Sequence, residues 1–211
     1  MMSMSGHLKL EAKMNSSSEG GFLKRTMGAV AKTALSKESF FITTISAADG
    51  PGEALLAPSQ PGDVYAHHLS GRTLVIQGGS YLASVPTVKV DTGWGGFKAM
   101  LGGEGLFFLK ASGEGLVLLS SFGAIIEKDL APGEMYVVDS GHMVAFEEGM
   151  QFKARMAAGK GTGGFVSRAI TSAKTGEGLV IEFTGPGKVW MQSRNPSAFS
   201  GWLVPLLPAN G

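Results

Sequence analysis

Apolar positions along this chain fall in short runs rich in β-branched and aromatic residues. Examples are Phe40-Phe41-Ile42-Thr43-Thr44-Ile45, Thr73-Leu74-Val75-Ile76, Thr87-Val88-Lys89-Val90 and Leu116-Val117-Leu118-Leu119. Side chains of this kind suit a pleated, half-buried surface. Turn formers bound the runs: Asp49-Gly50-Pro51-Gly52, Gln60-Pro61-Gly62-Asp63, Gly78-Gly79, Ala131-Pro132-Gly133-Glu134 and Gly185-Pro186-Gly187. Short strands punctuated this often predict an antiparallel all-β fold. Between Met150 and Met156 the apolar residues alternate with Gln151, Lys153 and Arg155, as in a strand with one wet face.

Two segments break the period of two. From Leu23 to Leu35 the apolar residues Leu23, Met27, Val30, Ala31, Ala34 and Leu35 follow helical spacing, with Lys24, Arg25 and Lys32 mostly off the stripe. Near the C-terminus, Asn195-Pro196-Ser197 can open a short helix through Phe199, Trp202 and Leu203, which Pro205 would stop.

The pattern also repeats. Gly20-Gly21-Phe22 returns as Gly95-Gly96-Phe97 and as Gly163-Gly164-Phe165, with 75 residues from Phe22 to Phe97 and 68 from Phe97 to Phe165. An apolar-glycine-apolar stretch precedes each copy, and Glu with an apolar run follows it: Glu38-Ser39-Phe40-Phe41, Glu104-Gly105-Leu106-Phe107-Phe108 and Glu177-Gly178-Leu179-Val180. Unequal periods predict one structural unit used three times with loop insertions. The expectation is a single domain of three repeats, about 1–65, 66–136 and 137–211. The helical insert after the first Gly-Gly-Phe has a weaker counterpart from Val166 to Lys174, and it shrinks to Lys98-Ala99-Met100-Leu101 in the second copy.

Pro61-Gly62-Asp63-Val64-Tyr65 matches Pro132-Gly133-Glu134-Met135-Tyr136, and each reads as a corner joining one unit to the next. Three units closed about an axis would use three such corners. The chain has two, so the expectation is a polypeptide short by one corner at its N-terminus, with an uncovered sheet edge beside its first unit.

Composition narrows the classes. The 32 glycines lack a three-residue period, which argues for tight turns rather than collagen. A net charge of +1 favours neither acidic nor basic partners. Without cysteine there can be no disulfide, thiolate metal site or cysteine nucleophile. No uncharged apolar stretch reaches the roughly 18 residues of a membrane span, and Met1-Met2-Ser3-Met4-Ser5 lacks the features of a secretory signal. A cytoplasmic location, free or at the periphery of a membrane, is the expectation.

Several stretches together resemble the altered-inheritance-of-mitochondria protein twenty-four family, a mitochondrial biogenesis domain widespread in bacteria. The strongest are Gly103-Glu104-Gly105-Leu106-Phe107, Leu119-Ser120-Ser121-Phe122-Gly123-Ala124, Asp139-Ser140-Gly141-His142-Met143-Val144-Ala145-Phe146-Glu147-Glu148 and Glu182-Phe183-Thr184-Gly185-Pro186-Gly187. Glu38-Ser39-Phe40-Phe41, Pro61-Gly62-Asp63, Gly79-Ser80-Tyr81-Leu82-Ala83-Ser84 and Trp94-Gly95-Gly96 add to the likeness. The resemblance implies an all-β, pseudo-threefold double-stranded β-helix or sandwich, similar to the tryptophan RNA-binding attenuation protein fold, with short helical insertions. It carries no catalytic residues. Bacterial members are mostly uncharacterised, and the eukaryotic member is associated with inner-membrane organisation.

Candidate chemistry is sparse. His67 and His68 are adjacent, so on a strand they point to opposite faces rather than forming a His-x-His pair. Asp139, His142 and Glu147 have no spacing that favours a metal over a polar strand. Gly159-Lys160-Gly161-Thr162-Gly163-Gly164 departs from a phosphate loop: Lys160 is followed by Gly161, and Ala154 stands where the first glycine belongs. There is no Gly-x-Ser-x-Gly elbow. Glu104, Glu114 and Glu177 sit in Gly-Glu-Gly segments that read as tight corners, and Trp94, Trp190 and Trp202 read as core anchors or sugar-stacking groups. Leu23, Lys24, Arg25, Met27, Val30 and Lys32 form the one candidate contact surface, for a membrane or a partner, set against the plainer reading of a cap over the β core.

These readings converge on a non-enzymatic scaffold with no catalytic residue, cofactor or metal, expected to be a homo-oligomer that meets a membrane surface or a protein partner. The sparse aromatics beside Lys9, Lys13, Lys24 and Arg25 argue against nucleic acid. The alternative is a ligand-binding β module for nucleic acid or a small molecule.

Overall fold

The computed structural model describes residues 1–15, 40–91, 108–156 and 179–208. Fifteen strands and one α-helix occur among them. The chain divides into two compact units.

The first unit holds the described residues 1–15, 40–57 and 91. Strand β1 (Ser3–Met4) pairs antiparallel with β4 (Ala54–Leu55), and β2 (Leu8–Asn15) with β3 (Phe40–Ala47) from Leu8↔Ala47 to Asn15↔Phe40. The Ser5 hydroxyl accepts the Glu53 backbone N–H at 2.9 Å, tying the two short strands together.

The second unit holds the other described residues. Its larger sheet runs β10 (Ile125–Leu130), β15 (Gly187–Gln192), β12 (Met143–Glu147), β6 (Leu74–Gln77), β9 (Phe108–Ser120), β5 (Val64–Ser70). Two further strands, β7 (Tyr81–Ser84) and β8 (Val88–Asp91), also pair with β9. A smaller sheet has the order β11 (Met135–Asp139), β14 (Leu179–Thr184), β13 (Gln151–Met156).

Strand β9 serves two sets of partners because it bends. Its first half pairs with β6, from Phe108↔Gln77 to Ala111↔Leu74, and its second half with β5, from Glu114↔Ser70 to Ser120↔Val64. The bend falls at Gly113 and Gly115, whose φ values of +111° and +132° lie where side chains are strained. A Cβ at Gly113 would also stand 2.5 Å from the Thr87 carbonyl oxygen. Glu114 therefore lies inside a continuous strand and not at a chain-reversing corner.

The larger sheet curls until its end strands meet. Tyr65 of β5 donates to the Glu127 carboxylate of β10 at 2.6 Å, and the Asp63 carboxylate accepts the Ile125 N–H at 3.1 Å. Gly62 and Gly123 form a parallel bridge at the same corner. The smaller sheet lies against this curl, with alternation on β14 turning Leu179, Ile181 and Phe183 inward onto Val75, Phe146 and Val189. Phe146 sits at the centre, 5.1 Å from Phe183 and 5.4 Å from Phe152 between ring centroids. The predicted all-β class holds, and the expected terminal helix appears as α1 (Pro196–Leu203) followed by a 3-10 turn, Val204–Leu206.

One arrangement recurs inside this unit. A strand, a 3-10 turn and a second strand occur as β6, Gly78–Ser80, β7 and again as β11, Ser140–His142, β12. The second strand of each set is irregular at the same point: the register shifts between Tyr81 and Ala83 on β9, and between Met143 and Ala145 on β15. The two Pro-Gly-acid segments, by contrast, do not play equivalent parts. Pro61-Gly62-Asp63 leads into β5, which pairs with the second half of β9, whereas Pro132-Gly133-Glu134 turns β10 into β11, which pairs with β14.

Candidate functional site

Alternation on β11 sends Tyr136 and Val138 inward and leaves Met135, Val137 and Asp139 on the other side. In most half-buried strands the outward positions are polar. Here Met135 is 69% exposed and Val137 46%. The Asp139 carboxylate instead accepts the Gly141 N–H at 2.8 Å, so it spends its charge on its own turn. Strand β11 is also an end strand of its sheet, with β14 on one side and no described strand on the other. An apolar open edge of this kind is a template for pairing or packing with another chain.

A second apolar feature adjoins it. Asn195 caps α1 by accepting the backbone N–H groups of Ser197 and Ala198 at 2.9 and 3.2 Å, and Pro196 at the first position supplies a φ already suited to a helix. The helix is therefore set up locally, because none of its residues is buried. Its link to the body is the Phe199 ring, edge-on to buried Phe122 at 5.3 Å, with the Arg194 guanidinium 5.7 Å from the Phe122 centroid. Beyond Phe199, Trp202 is 62% exposed, and Val204, Leu206 and Leu207 are similarly open. No charged residue occurs in the 17 positions from Asn195 to Gly211. The arm starts beside the far end of β11, since a Cβ on Gly141 would overlap the Asn195 amide.

Polar groups gather where the curled sheet closes. Glu127 accepts from the Tyr65 hydroxyl, from the Lys188 ammonium and from the Trp190 indole N–H at 3.1 Å. Lys188 first and Tyr65 second hold the Glu127 carboxyl below its usual range, while donating to that anion raises the Tyr65 hydroxyl. His67 packs edge-on to fully buried Trp190 at 5.0 Å, and burial lowers its imidazole below the usual value, with Glu127 and Glu147 acting the other way. Glu147 in turn accepts from Arg72 at 3.1 and 3.2 Å and from the Lys188 backbone N–H at 3.2 Å. A shallow cavity of about 380 Å³ opens beside it, lined by Arg72, Glu147, Glu148, Met150 and others, with Glu148 paired to Lys110. These groups are matched to one another, and the Tyr65 to Glu127 hydrogen bond ties the two end strands of the sheet together.

The motif around His142 is likewise committed to structure. His142 Nδ1 lies 2.7 Å from the Gln192 carbonyl oxygen, the Gln192 side chain donates to the Gly141 carbonyl at 2.9 Å, and its own oxygen accepts the Phe122 N–H at 2.9 Å. Asp139, His142 and Glu147 thus have three separate sets of partners. His67 and His68 face opposite ways as expected, one against Trp190 and one exposed. Trp190 is a core anchor and Trp202 is not.

The candidate contact residues Leu23, Lys24, Arg25, Met27, Val30 and Lys32 lie outside the described residues, as do Trp94 and the segment 159–164. The apolar outer face of β11 was legible in principle, since Met135 and Val137 alternate with Tyr136 and Val138. Among the described residues, no helix is long and apolar enough to cross a membrane.

The family model for mitochondrial biogenesis AIM24 matches residues 1–194. The chain belongs to this family. An uncharacterized protein of Streptococcus pyogenes serotype M6 is 32% identical over 207 residues, covering 97% of this chain and 78% of the relative. The crystal structure of a Streptococcus pyogenes protein aligns with a TM-score of 0.69 at 28% identity, over 98% of this chain and 86% of that one. The AIM24 match ends at Arg194, one residue before the cap of α1.

Proposed function

We propose that this AIM24-family chain is a non-enzymatic, self-associating scaffold. The observation that carries the reading is the open, outward-apolar edge of β11, where Met135 and Val137 stand exposed with no charge between them. The scaffold is read as three repeats about a pseudo-threefold axis, similar to the tryptophan RNA-binding attenuation protein fold. Two features support that finer reading. The register shift recurs on β7 and β12, and each Gly-Gly-Phe segment falls between two strands that pair with each other: β2 with β3, β8 with β9, and β13 with β14. Its place of work is a membrane surface or a protein partner, reached through the assembled form.

Sedimentation velocity tests the reading. Wild-type protein is expected to sediment as a species larger than the 21.9 kDa chain at micromolar concentration. Met135→Lys and Val137→Lys are each expected to shift it toward the monomer at least tenfold in dissociation constant, with the circular dichroism spectrum unchanged. A wild-type chain that stays monomeric to about 100 µM, well above the micromolar range in which specific interfaces form, overturns the proposal.

A further inference from the structure

We propose that the apolar C-terminal arm is the element that covers β11 of a second copy of this chain, each arm crossing to the other molecule. This rests on the self-association proposed above and names the contact that makes it. Four observations point there. The arm is set up locally and packs on its own body only through Phe199, because Asn195 and Pro196 cap and start the helix while none of its residues is buried. From Asn195 onward it is uncharged, and the outward positions of β11 are apolar up to Asp139, whose carboxylate turns to Gly141; the charge beside them, Glu182 opposite Val137 on β14, is paired with Arg155 at 3.5 Å. Both are exposed in the same chain, so the arm does not cover its own strand. They nevertheless adjoin, with Asn195 against Gly141 two residues beyond β11, which lets one two-fold axis bring both arms and both strands into a single self-complementary interface.

The area is adequate. Trp202, Val204, Leu206 and Leu207 of the arm with Met135 and Val137 of the strand offer an exposed apolar surface on the order of the 800 Å² per partner that a specific interface buries. Trp202 is the residue expected to carry most of the affinity, as large aromatics do at interface centres. An acidic lipid surface fits the arm less well. Helices that lie in such surfaces set Lys and Arg on their polar face, and this helix has neither, the preceding Arg194 being held over Phe122.

The absence of native cysteine gives a clean test. Full-length chains carrying Met135→Cys are mixed with chains carrying Leu206→Cys under a mild thiol oxidant. Both sites are exposed, so folding is expected to survive, with circular dichroism as the check. A disulfide-linked dimer in the mixture that neither variant forms alone is the expected result, together with at least a tenfold weaker assembly for Trp202→Ser. A dimer of Met135→Cys chains alone shows strand-to-strand pairing, and one of Leu206→Cys chains alone shows arm-to-arm packing; either overturns the arm-on-strand contact. If wild type assembles in sedimentation and the mixture does not cross-link, this inference falls and self-association stands. If wild type is monomeric, both fall, and co-sedimentation of the arm with neutral phosphatidylcholine vesicles then assigns it to lipid.

Discussion

Glu127 gathers three unlike donors, a phenol from β5 and an ammonium and an indole from β15. Hydrogen bonds to a charged acceptor are worth about 1.5–3 kcal/mol each when shielded, and partial exposure reduces that. Glu127→Ala is therefore expected to cost about 1–2 kcal/mol, read as a fall in the urea midpoint with an unchanged slope. The acid side has a definite sign. The folded carboxyl titrates below its usual 4.5, so its contribution is full above that pH and is lost as pH falls through the depressed value. Glu127→Gln should flatten the stability curve below about pH 4.5 relative to wild type; a curve as steep as wild type sinks the assignment. His67 adds an independent window. Its folded value lies below the usual 6.5, so as pH drops through 6.5 the unfolded chain takes up a proton that the folded chain resists, and stability declines there. His67→Phe should remove that decline, measured by urea midpoints between pH 5 and 8.

At the scale of elements, α1 owes its existence to its first two residues and little else. A cap of this type is worth about 1 kcal/mol, and a helix with no buried side chain has little else to resist its loss. Asn195→Ala should raise amide exchange at positions 199 to 204 at least fivefold while leaving the core strands protected; unchanged exchange would show that the Phe122 to Phe199 contact alone holds the helix. This element was readable from Asn195-Pro196 and Pro205, and the strands were readable from their β-branched runs. The curl of the larger sheet was not. It depends on where Gly113 and Gly115 bend β9 and on Tyr65 reaching Glu127, contacts between residues 62 positions apart that no local period encodes. The corner motif misled for a related reason: Pro-Gly-acid specifies a turn, and Asp63 and Glu134 do each take a backbone N–H, yet the turn does not specify which strand comes next. Gly62 shows how far the partner decides. A Cβ there would overlap the Ser121 carbonyl on the opposite corner, a constraint invisible to its own neighbours in sequence.

Among the described residues of the second unit the polar clusters are matched, while exposed apolar side chains gather on β11 and the arm, with Val64 and Ile126 open elsewhere. The closing cluster around Glu127 and the lattice around Gln192 are satisfied internally, while Met135, Val137 and the arm from Trp202 to Leu207 remain open. Burying such a surface in an assembly stabilises the folded chain by mass action, because only the folded state presents it. The consequence is a melting temperature that depends on protein concentration. Wild type is expected to melt several degrees higher at 100 µM than at 1 µM, since a hundredfold rise in partner concentration adds up to about 2.7 kcal/mol once the dissociation constant lies at the lower end. Met135→Lys and Trp202→Ser should each abolish the dependence without lowering the melting temperature found for wild type at the lowest concentration. That pairing separates assembly from folding. A variant that melts lower at every concentration has damaged the chain, one that melts at the dilute wild-type value throughout has lost its neighbour, and a wild type whose melting ignores concentration removes the apolar edge as the basis of a scaffold.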